Sequence, residues 1–200
     1  MRVLFLASLA MLLAGCASNA RPQAPANACA IFEQHKSWWR AAKRAERHWG
    51  APPALQLAII RQESGFDHDA RPARGKFLFV FPGARPSSAH GYAQALTPTW
   101  REYEAARGDP GLDRDEFADA TDFVAWYVGA SHRQLGLSYD NARGHYLAYH
   151  EGRGGYSRGT YRGKRTLMAS AARVQSYRDT YQRQLDGCAR RLDGSWLPFL

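Results

Sequence analysis

Apolar residues recur at helical spacing along most of the chain, and glycine or proline residues separate the apolar segments. The first segment starts at Ala30 and stops at Gly50, and Pro52 and Pro53 then suit the first turn of a second helix. Because strands are scarce, the pattern predicts a mainly α fold and argues against an enzyme built on a parallel sheet. The predicted helices, in chain order, are 30–49, 54–64, 97–106, 115–135, 140–150 and 164–185.

Two stretches rich in glycine and arginine interrupt this helical pattern. Residues 65–90 surround the apolar run Phe77–Phe81, which does not alternate with polar residues and is predicted as a short strand or hairpin edge. Residues 152–163 are predicted as a loop. The expected domain is therefore helical, with one short β or irregular insertion.

The beginning of the chain has the pattern of an export signal. Arg2 precedes an apolar run from Val3 to Ala14, which is shorter than the about 20 residues of a membrane-spanning helix. The segment Leu13–Cys16 resembles the lipobox of bacterial lipoproteins, in which the signal is cut before the cysteine and Cys16 then carries lipid, palmitate included. The alternative is a plain signal peptide that happens to contain a cysteine. Ala17 follows Cys16, which by resemblance to the sorting rule of Gram-negative lipoproteins favours the periplasmic face of the outer membrane.

These features divide the chain into four parts. Residues 1–15 form the predicted lipoprotein signal peptide, 16–29 a lipidated tether, 30–190 a single domain and 191–200 a C-terminal tail. The tether is small, polar and contains proline, so we predict that it is flexible and reaches at most about 40 Å. The domain is therefore expected to work close to the membrane surface, as a monomer.

The three cysteines fit this division of the chain. With Cys16 lipidated, Cys29 and Cys188 remain in an oxidising compartment, and we predict that they pair. The disulfide would close a loop of nearly the whole domain and contribute about 5 kcal/mol in the chain-entropy model. The alternative is two free thiols.

Composition adds an excess of positive charge. The chain has 27 Lys and Arg residues against 18 Asp and Glu residues, which gives a net charge of +9. This charge indicates an anionic partner and leaves nucleic acid, an acidic membrane and an acidic polymer open. Apolar residues make up 45% of the chain and charged residues 22%, which argues against wholesale disorder. The seven histidines are dispersed, so no metal or other cofactor is expected.

Glu63 is the leading candidate for chemistry in the chain. It lies four residues after Ile59 and three after Ile60, so it shares the apolar stripe of its predicted helix and lies in the last turn. Burial and the negative end of the helix dipole both raise the pKa of a carboxyl group in such a place. A carboxylic acid that stays protonated near neutral pH can act as a general acid. The alternative is a solvated or paired surface glutamate.

Three short motifs follow one another in the middle of the chain. Glu63 and Ser64 end their helix, the segment Gly91–Gln94 leads into a helix opened by proline, and the segment Ala148–Gly152 follows. This ordered set resembles the lytic transglycosylase domain of the soluble-transglycosylase (SLT) type, within the lysozyme-like superfamily, over residues 50–185. The resemblance implies a goose-type, lysozyme-like helical domain with peptidoglycan glycan strands as its partner.

The chain departs from the family pattern in three places. The spacing from Glu63 to Gly91 is longer than usual, so residues 71–90 are interpreted as an insertion. The family's Gly-Leu-Met-Gln segment is Gly-Tyr-Ala-Gln at Gly91–Gln94, and His150 stands where the family has asparagine. These departures concern substrate access and the role of position 150.

The resemblance also implies a mechanism for Glu63. As an acid it protonates the glycosidic oxygen between N-acetylmuramic acid and N-acetylglucosamine. As a base it then takes the proton of the muramoyl C6 hydroxyl, which attacks the anomeric carbon and gives a 1,6-anhydro product without water. One carboxylate suffices, so Glu151 is not expected to be a second catalytic group. The residues expected to bind or position the sugar are Ser64, Gln94, Tyr149, Tyr92 and His150.

These residues also have structural interpretations, and three rival functions stay open. Ser64 can simply end its helix, Gln94 can cap a neighbouring segment, and Tyr149 can belong to the core. The first rival function is a hydrolase on the same fold, which uses water and leaves a reducing end. The second is a peptidoglycan-binding or assembly lipoprotein without catalysis. The third is a basic membrane-surface module, which would bind anionic vesicles and cleave no glycan.

A basic cluster follows the third motif. Because an exported protein does not meet nucleic acid, no nucleic-acid partner is expected, and stem-peptide carboxylates or anionic lipid head groups fit the charge better. The alternative is a solvated face. The cluster consists of Arg153, Arg158, Arg162, Lys164 and Arg165, with Tyr156 and Tyr161 among them.

Overall fold

The computed structural model describes residues 20–73, 76–77, 81–82 and 85–194. The predicted signal peptide and Cys16 lie outside these residues, as does the chain beyond 194. Strands β1 (Lys76–Phe77) and β2 (Phe81–Pro82) pair antiparallel, and they overlap the two ends of the apolar run Phe77–Phe81, where a strand or hairpin edge is expected. The mainly α fold class is confirmed. The helices are α1 (Ala28–Gln34), α2 (Lys36–Trp49), α3 (Pro53–Ser64), α4 (Thr97–Arg107), α5 (Phe117–Leu135), α6 (Ala142–Arg158) and α7 (Arg165–Leu192).

Helix α3 is buried along most of its length. Every residue from Pro53 to Ile60 is buried, and the helix packs against α7, α5 and α2. Gln56 is polar but hydrogen-bonded, because its Nε2 donates to Ala42 O at 3.1 Å and to Ala51 O at 2.8 Å. Its Oε1 accepts from the hydroxyl of Thr121. Since buried polar groups destabilise a fold unless they are paired, these bonds allow α3 to lie inside the domain.

The end of α3 is defined by a glycine. Gly65 has the left-handed φ of 60°, and its N–H donates to Arg61 O. The guanidinium of Arg61 lies over the ring of Tyr177 in α7, 4.0 Å from the ring centroid. Glu63 and Ser64 therefore occupy the last turn of a helix whose position is fixed by the packing of its buried residues and by its contact with α7.

The predicted helix 30–49 is two helices. His35 interrupts it with φ of −123° and ψ of 75°, ending α1 and preceding α2. The buried His35 ring stacks on Trp38, with centroids 4.1 Å apart, and Trp38 stacks on Phe117 of α5 at 3.9 Å. The aromatic packing holds the break in place, and both halves keep helical spacing, so the apolar pattern alone does not show it.

The prediction of a loop over 152–163 is wrong for its first half. Helical structure continues to Arg158 and is interrupted only at Gly152, which has φ of 73° and ψ of 154°. The glycine kinks α6 instead of ending it. Helix α7 likewise runs past the predicted end at residue 185, to Leu192.

The described part of the predicted tether is held against the domain. Arg21 forms an ion pair with Asp67, and the backbone N–H of Gln23 donates to Gln34 Oε1 at 3.0 Å. This segment is therefore not free from Arg21 onward, which differs from the predicted flexible tether up to residue 28. Two further hydrogen bonds run from Tyr181 to Pro25 O and from Gln184 Nε2 to Ala26 O.

Cys29 of α1 and Cys188 of α7 form the disulfide that the sequence predicts. The two residues are 159 positions apart in the chain and their Cα atoms are 6.1 Å apart. The bond joins the beginning of the domain to its end. Within the described residues, no helix is long and apolar enough to cross a membrane.

Candidate active site

Glu63 lies partly buried in the last turn of α3, facing two tyrosines of α6. Burial raises the pKa of its carboxyl group to about 7, and a hydrogen bond from Tyr146 lowers that pKa in part. A pKa of about 7 leaves a large fraction of Glu63 protonated at neutral pH. The raised pKa expected from the apolar spacing is therefore found, and burial is its largest cause.

Tyr146 is a site residue that the sequence motifs did not single out. Its side chain is 5% exposed and donates a hydrogen bond to Glu63. Burial and the Glu63 carboxylate both raise the pKa of the Tyr146 hydroxyl, so it remains a donor. Helical spacing offered a signal, because Tyr146 lies three residues before Tyr149 and so shares its face of α6.

Tyr149 joins α6 to the loop of the second motif. Its hydroxyl donates to Ala93 O at 2.6 Å, and its ring meets the edge of Tyr127 at 5.1 Å. Burial and the nearby charge of Glu63 raise the pKa of this hydroxyl. With its proton committed to a backbone carbonyl, Tyr149 holds the wall of the site beside Glu63 in place.

Gln94 closes a tight loop in front of the tyrosines. It has the left-handed φ of 47°, which is unusual for a residue with a side chain. Its Nε2 donates to Ala70 O at 2.8 Å and to Gly91 O at 3.0 Å. In the described part of the chain its Oε1 has no hydrogen-bond partner, so that oxygen can still accept a bond from a ligand.

Gly91 opens the same loop and has little room for a side chain. It has φ of 74°, and its N–H donates to Ala70 O at 3.0 Å. A Cβ at this position would lie 2.2 Å from Arg114 O. The loop therefore passes so close to the chain around Arg114 that only glycine fits.

The prediction that Tyr92 binds substrate is wrong. Its side chain is fully buried and packs edge-on against Trp38 at 5.6 Å and Phe117 at 5.5 Å. Burial raises the pKa of its hydroxyl, which has no hydrogen-bond partner among the described residues. Tyr92 anchors the loop from the core side, and a sugar cannot reach its ring.

Ser64 and His150 lie near the site, and the side chain of each contacts a residue of its own helix. The Ser64 hydroxyl donates to Ile60 O at 3.3 Å, within its own helix. The exposed His150 has its Nδ1 3.1 Å from Glu151 Oε1. The Ser64 contact matches the structural interpretation given above, and His150 remains accessible to a ligand.

Glu151 differs from Glu63 in its electrostatic surroundings. Its carboxylate accepts from Lys164 Nζ at 2.7 and 2.8 Å and also from Thr160. These bonds, with that from His150, lower the pKa of Glu151 to about 2. Glu151 is therefore ionised at neutral pH and cannot donate a proton, whereas Glu63 can.

His150 lines two cavities, and each of them is also lined by a tyrosine that interacts with Glu63. The first, of about 260 Å³, includes Gln94 and Tyr149 in its walls. The second, of about 320 Å³, includes Tyr146 and Lys164. Tyr149 borders one cavity and Tyr146 borders the other, and Glu63 interacts with both tyrosines, so the two cavities lie on either side of the neighbours of the carboxyl group.

A helical domain with a buried glutamic acid of raised pKa at the end of a helix, next to tyrosines that line cavities, is typical of glycan-cleaving proteins of the lysozyme-like class. The family model described as Transglycosylase SLT domain matches residues 4–188, and the chain belongs to this family. At the level of the family this means lytic transglycosylase activity, with peptidoglycan glycan strands as the substrate. Among curated proteins, none matches the chain.

Proposed function

We propose that this protein is a lipid-anchored lytic transglycosylase in which Glu63 is the only catalytic carboxyl group. The observation that carries the proposal is the pKa of about 7 at Glu63, which accepts a hydrogen bond from the cavity-lining Tyr146. An acid with this pKa is about half protonated at neutral pH and more so below it, and it is basic enough to take a proton back afterwards.

The reaction proceeds in two proton transfers through the same carboxyl group. Glu63 gives its proton to the glycosidic oxygen as the bond from the muramoyl anomeric carbon to that oxygen breaks. The C6 hydroxyl of the same sugar then attacks the anomeric carbon, and Glu63 takes the hydroxyl proton. The products are a free 4-hydroxyl on N-acetylglucosamine and a 1,6-anhydro muramoyl end, and Glu63 is protonated again.

The surroundings of Glu63 favour this route over one with two carboxylates. Glycosidases that form an enzyme ester or activate water use a second carboxyl group near the first. Glu151 is the nearby candidate, and its oxygens already accept bonds from Lys164 and Thr160. We assign Glu151 to holding the kinked end of α6, and Gln94 and His150 to contacts with the sugar.

The test of the catalytic assignment is the substitution Glu63→Gln, which keeps the shape of the side chain and removes its carboxylic acid. Loss of a general acid lowers the rate of glycan cleavage by about 100-fold or more. The measurement is the release of fragments from purified peptidoglycan, with their masses determined. The matched control is Glu102→Gln on the exposed side of α4, which should cleave like the parent protein.

Two outcomes would contradict the proposal. Cleavage by Glu63→Gln at the parent rate would remove Glu63 from the chemistry. Fragments that are one water heavier than anhydro products would make the protein a hydrolase instead. The lipid anchor has its own test, because labelled palmitate should be incorporated by the parent chain and not by Cys16→Ser.

A further inference from the structure

Helix α2 carries a row of exposed cations on the side opposite its core face. Its buried side consists of Trp38, Trp39 and three alanines. Four exposed basic residues recur at intervals of four, four and three residues, which places them on one face of the helix. We call this row the α2 cationic stripe: Lys36, Arg40, Arg44 and Arg47.

The stripe is not neutralised by the protein. In residues 20–73 and 85–194 no ion pair involves any of its four members, and the neighbouring Glu46 is paired with Lys43 instead. Like charges four residues apart on a helix repel and destabilise it. The stripe therefore does not serve the stability of α2, and its charge is available to an external anion.

A groove runs beside the stripe and has the same sign of charge. Its volume is about 760 Å³, and Leu192 and the edge of Trp39 contribute apolar surface to it. Six basic residues, the four of the stripe among them, and two acidic residues border it. The two acids are already engaged, because Glu33 accepts from Arg191 and Asp193 accepts from Trp39 Nε1. A groove with basic walls and an apolar component suits a phosphate head group with the first part of its attached chain.

The path of the N-terminal segment brings the membrane close to this stripe. Gln23 bonds to Gln34, two residues before Lys36 where the stripe starts. Cys16 lies seven residues before Gln23, a length of chain that spans at most about 25 Å. This step rests on the proposed function, because it takes Cys16 as the point where lipid is attached.

We propose that the α2 cationic stripe and its groove dock on the anionic phospholipid surface of the membrane that holds the anchor. Basic side chains are attracted to anionic lipid within about a Debye length, roughly 10 Å, so α2 must lie along the surface for all four to contribute. No residue of α2 borders the two cavities that His150 lines. Docking therefore leaves these cavities open to glycan.

The experiment measures binding of the full chain carrying Cys16→Ser to vesicles, so that no lipid is attached. The vesicles contain phosphatidylglycerol with phosphatidylcholine, or phosphatidylcholine alone. The double substitution Arg40→Gln with Arg44→Gln should weaken binding to the anionic vesicles by about tenfold or more, since each basic residue contributes about fivefold. Binding to the neutral vesicles, which includes any contribution of the leader, should not change.

The matched control is Arg158→Gln with Arg162→Gln, which removes the same charge from the basic cluster near the third motif. It should bind anionic vesicles within about twofold of the parent chain. An equal loss of vesicle binding in the control would show that the vesicles respond only to the net charge of the protein, and it would overturn the assignment of the binding surface to α2. Loss of binding to purified peptidoglycan, with vesicle binding unchanged, would make the stripe a cell-wall surface and also overturn it.

Folding and activity do not confound this test. Removing like charges from α2 should leave the thermal midpoint of unfolding unchanged or raise it, and Lys36→Gln with Arg47→Gln serves as a second variant. Vesicle binding is read without glycan cleavage, so an inactive protein would count against the proposed function and not against docking.

Discussion

At the scale of the residue, two glutamates of the site have opposite properties. Burial at the end of α3 raises the pKa of Glu63 to about 7, although a hydrogen bond from Tyr146 lowers it in part. Glu151 accepts bonds from Lys164 and Thr160, so its pKa falls to about 2. The same functional group is thereby a proton donor in one place and a fixed anion in the other.

The pKa of Glu63 predicts the pH dependence of cleavage. Because the acid must be protonated when substrate binds, kcat/KM should fall as pH rises through about 7. Tyr146→Phe removes a hydrogen bond to the carboxylate and should move this midpoint to higher pH. The measurement is kcat/KM against pH on isolated glycan strands, with Tyr156→Phe as the control. A midpoint that stays in place or moves down in Tyr146→Phe would contradict the assigned hydrogen bond.

The unpartnered hydroxyl of Tyr92 predicts a stabilising substitution. Tyr92→Phe removes a buried hydroxyl that has no hydrogen-bond partner among the described residues, so the free energy of unfolding should rise by about 1 kcal/mol. The matched control is Tyr103→Phe, whose hydroxyl donates to Asp122 at 2.8 Å and whose loss should lower that free energy. Urea denaturation measures both, and reduced glycan cleavage in Tyr92→Phe would restore Tyr92 to the substrate site.

Individual residues also show which properties of the site could be predicted from the sequence. The raised pKa of Glu63 could be predicted because helical spacing places it on the apolar stripe. The burial of Tyr92 could not be predicted, because a loop motif does not indicate which side of the loop packs against the core. Tyr146 lies on the same helix face as Tyr149, and its bond to Glu63 depends on how α6 packs against α3.

At the scale of the element, the site depends on one buried helix and one tight loop. Helix α3 carries Glu63 in its last turn, and the loop from Gly91 to Gln94 stands opposite it, fixed by Tyr149. The positions of most helices could be predicted from apolar spacing and flanking glycine or proline. The break at His35 and the kink at Gly152 could not, because aromatic packing and a single backbone conformation decide them.

Gly91 allows a direct test of how closely the loop packs. Gly91→Ala places a Cβ 2.2 Å from Arg114 O at φ of 74°. Gly108→Ala at φ of 66° is the control, because nothing lies within 4 Å of its Cβ. The control should lose about 1–2 kcal/mol of unfolding free energy from backbone strain alone, and Gly91→Ala clearly more. Equal losses in thermal or urea unfolding would contradict the close approach.

At the scale of the whole molecule, the two ends of the chain are tied together. The disulfide between Cys29 and Cys188 joins α1 to α7, and Tyr181 and Gln184 of α7 hold the segment before α1. The pairing of the cysteines could be predicted by counting them. The docking of residues 21–27 could not be predicted, because their composition is that of a linker and two of their partners, Tyr181 and Gln184, lie more than 150 positions away in α7.

The disulfide predicts a large and specific loss of stability. Replacing Cys29 and Cys188 by alanine together should lower the free energy of unfolding by about 2–5 kcal/mol, because the unfolded chain is no longer closed into a loop. The measurement is urea denaturation of the parent protein with and without reductant, beside the double variant. The reduced parent and the double variant should agree, and an unchanged midpoint on reduction would contradict the disulfide.

If Cys16 carries lipid as proposed, the contacts of the N-terminal segment limit how far from the membrane the domain can act. Arg21 is paired with Asp67, which lies four residues after Glu63 in the sequence. With lipid at Cys16 as proposed, the stretch of chain from Cys16 to Arg21 can span at most about 18 Å. The lipid is then joined through a short segment to Asp67, which lies close in sequence to the end of α3 that carries Glu63. Glycan strands in the layer next to the membrane would be within the working radius of the domain, and strands deeper in the wall would not.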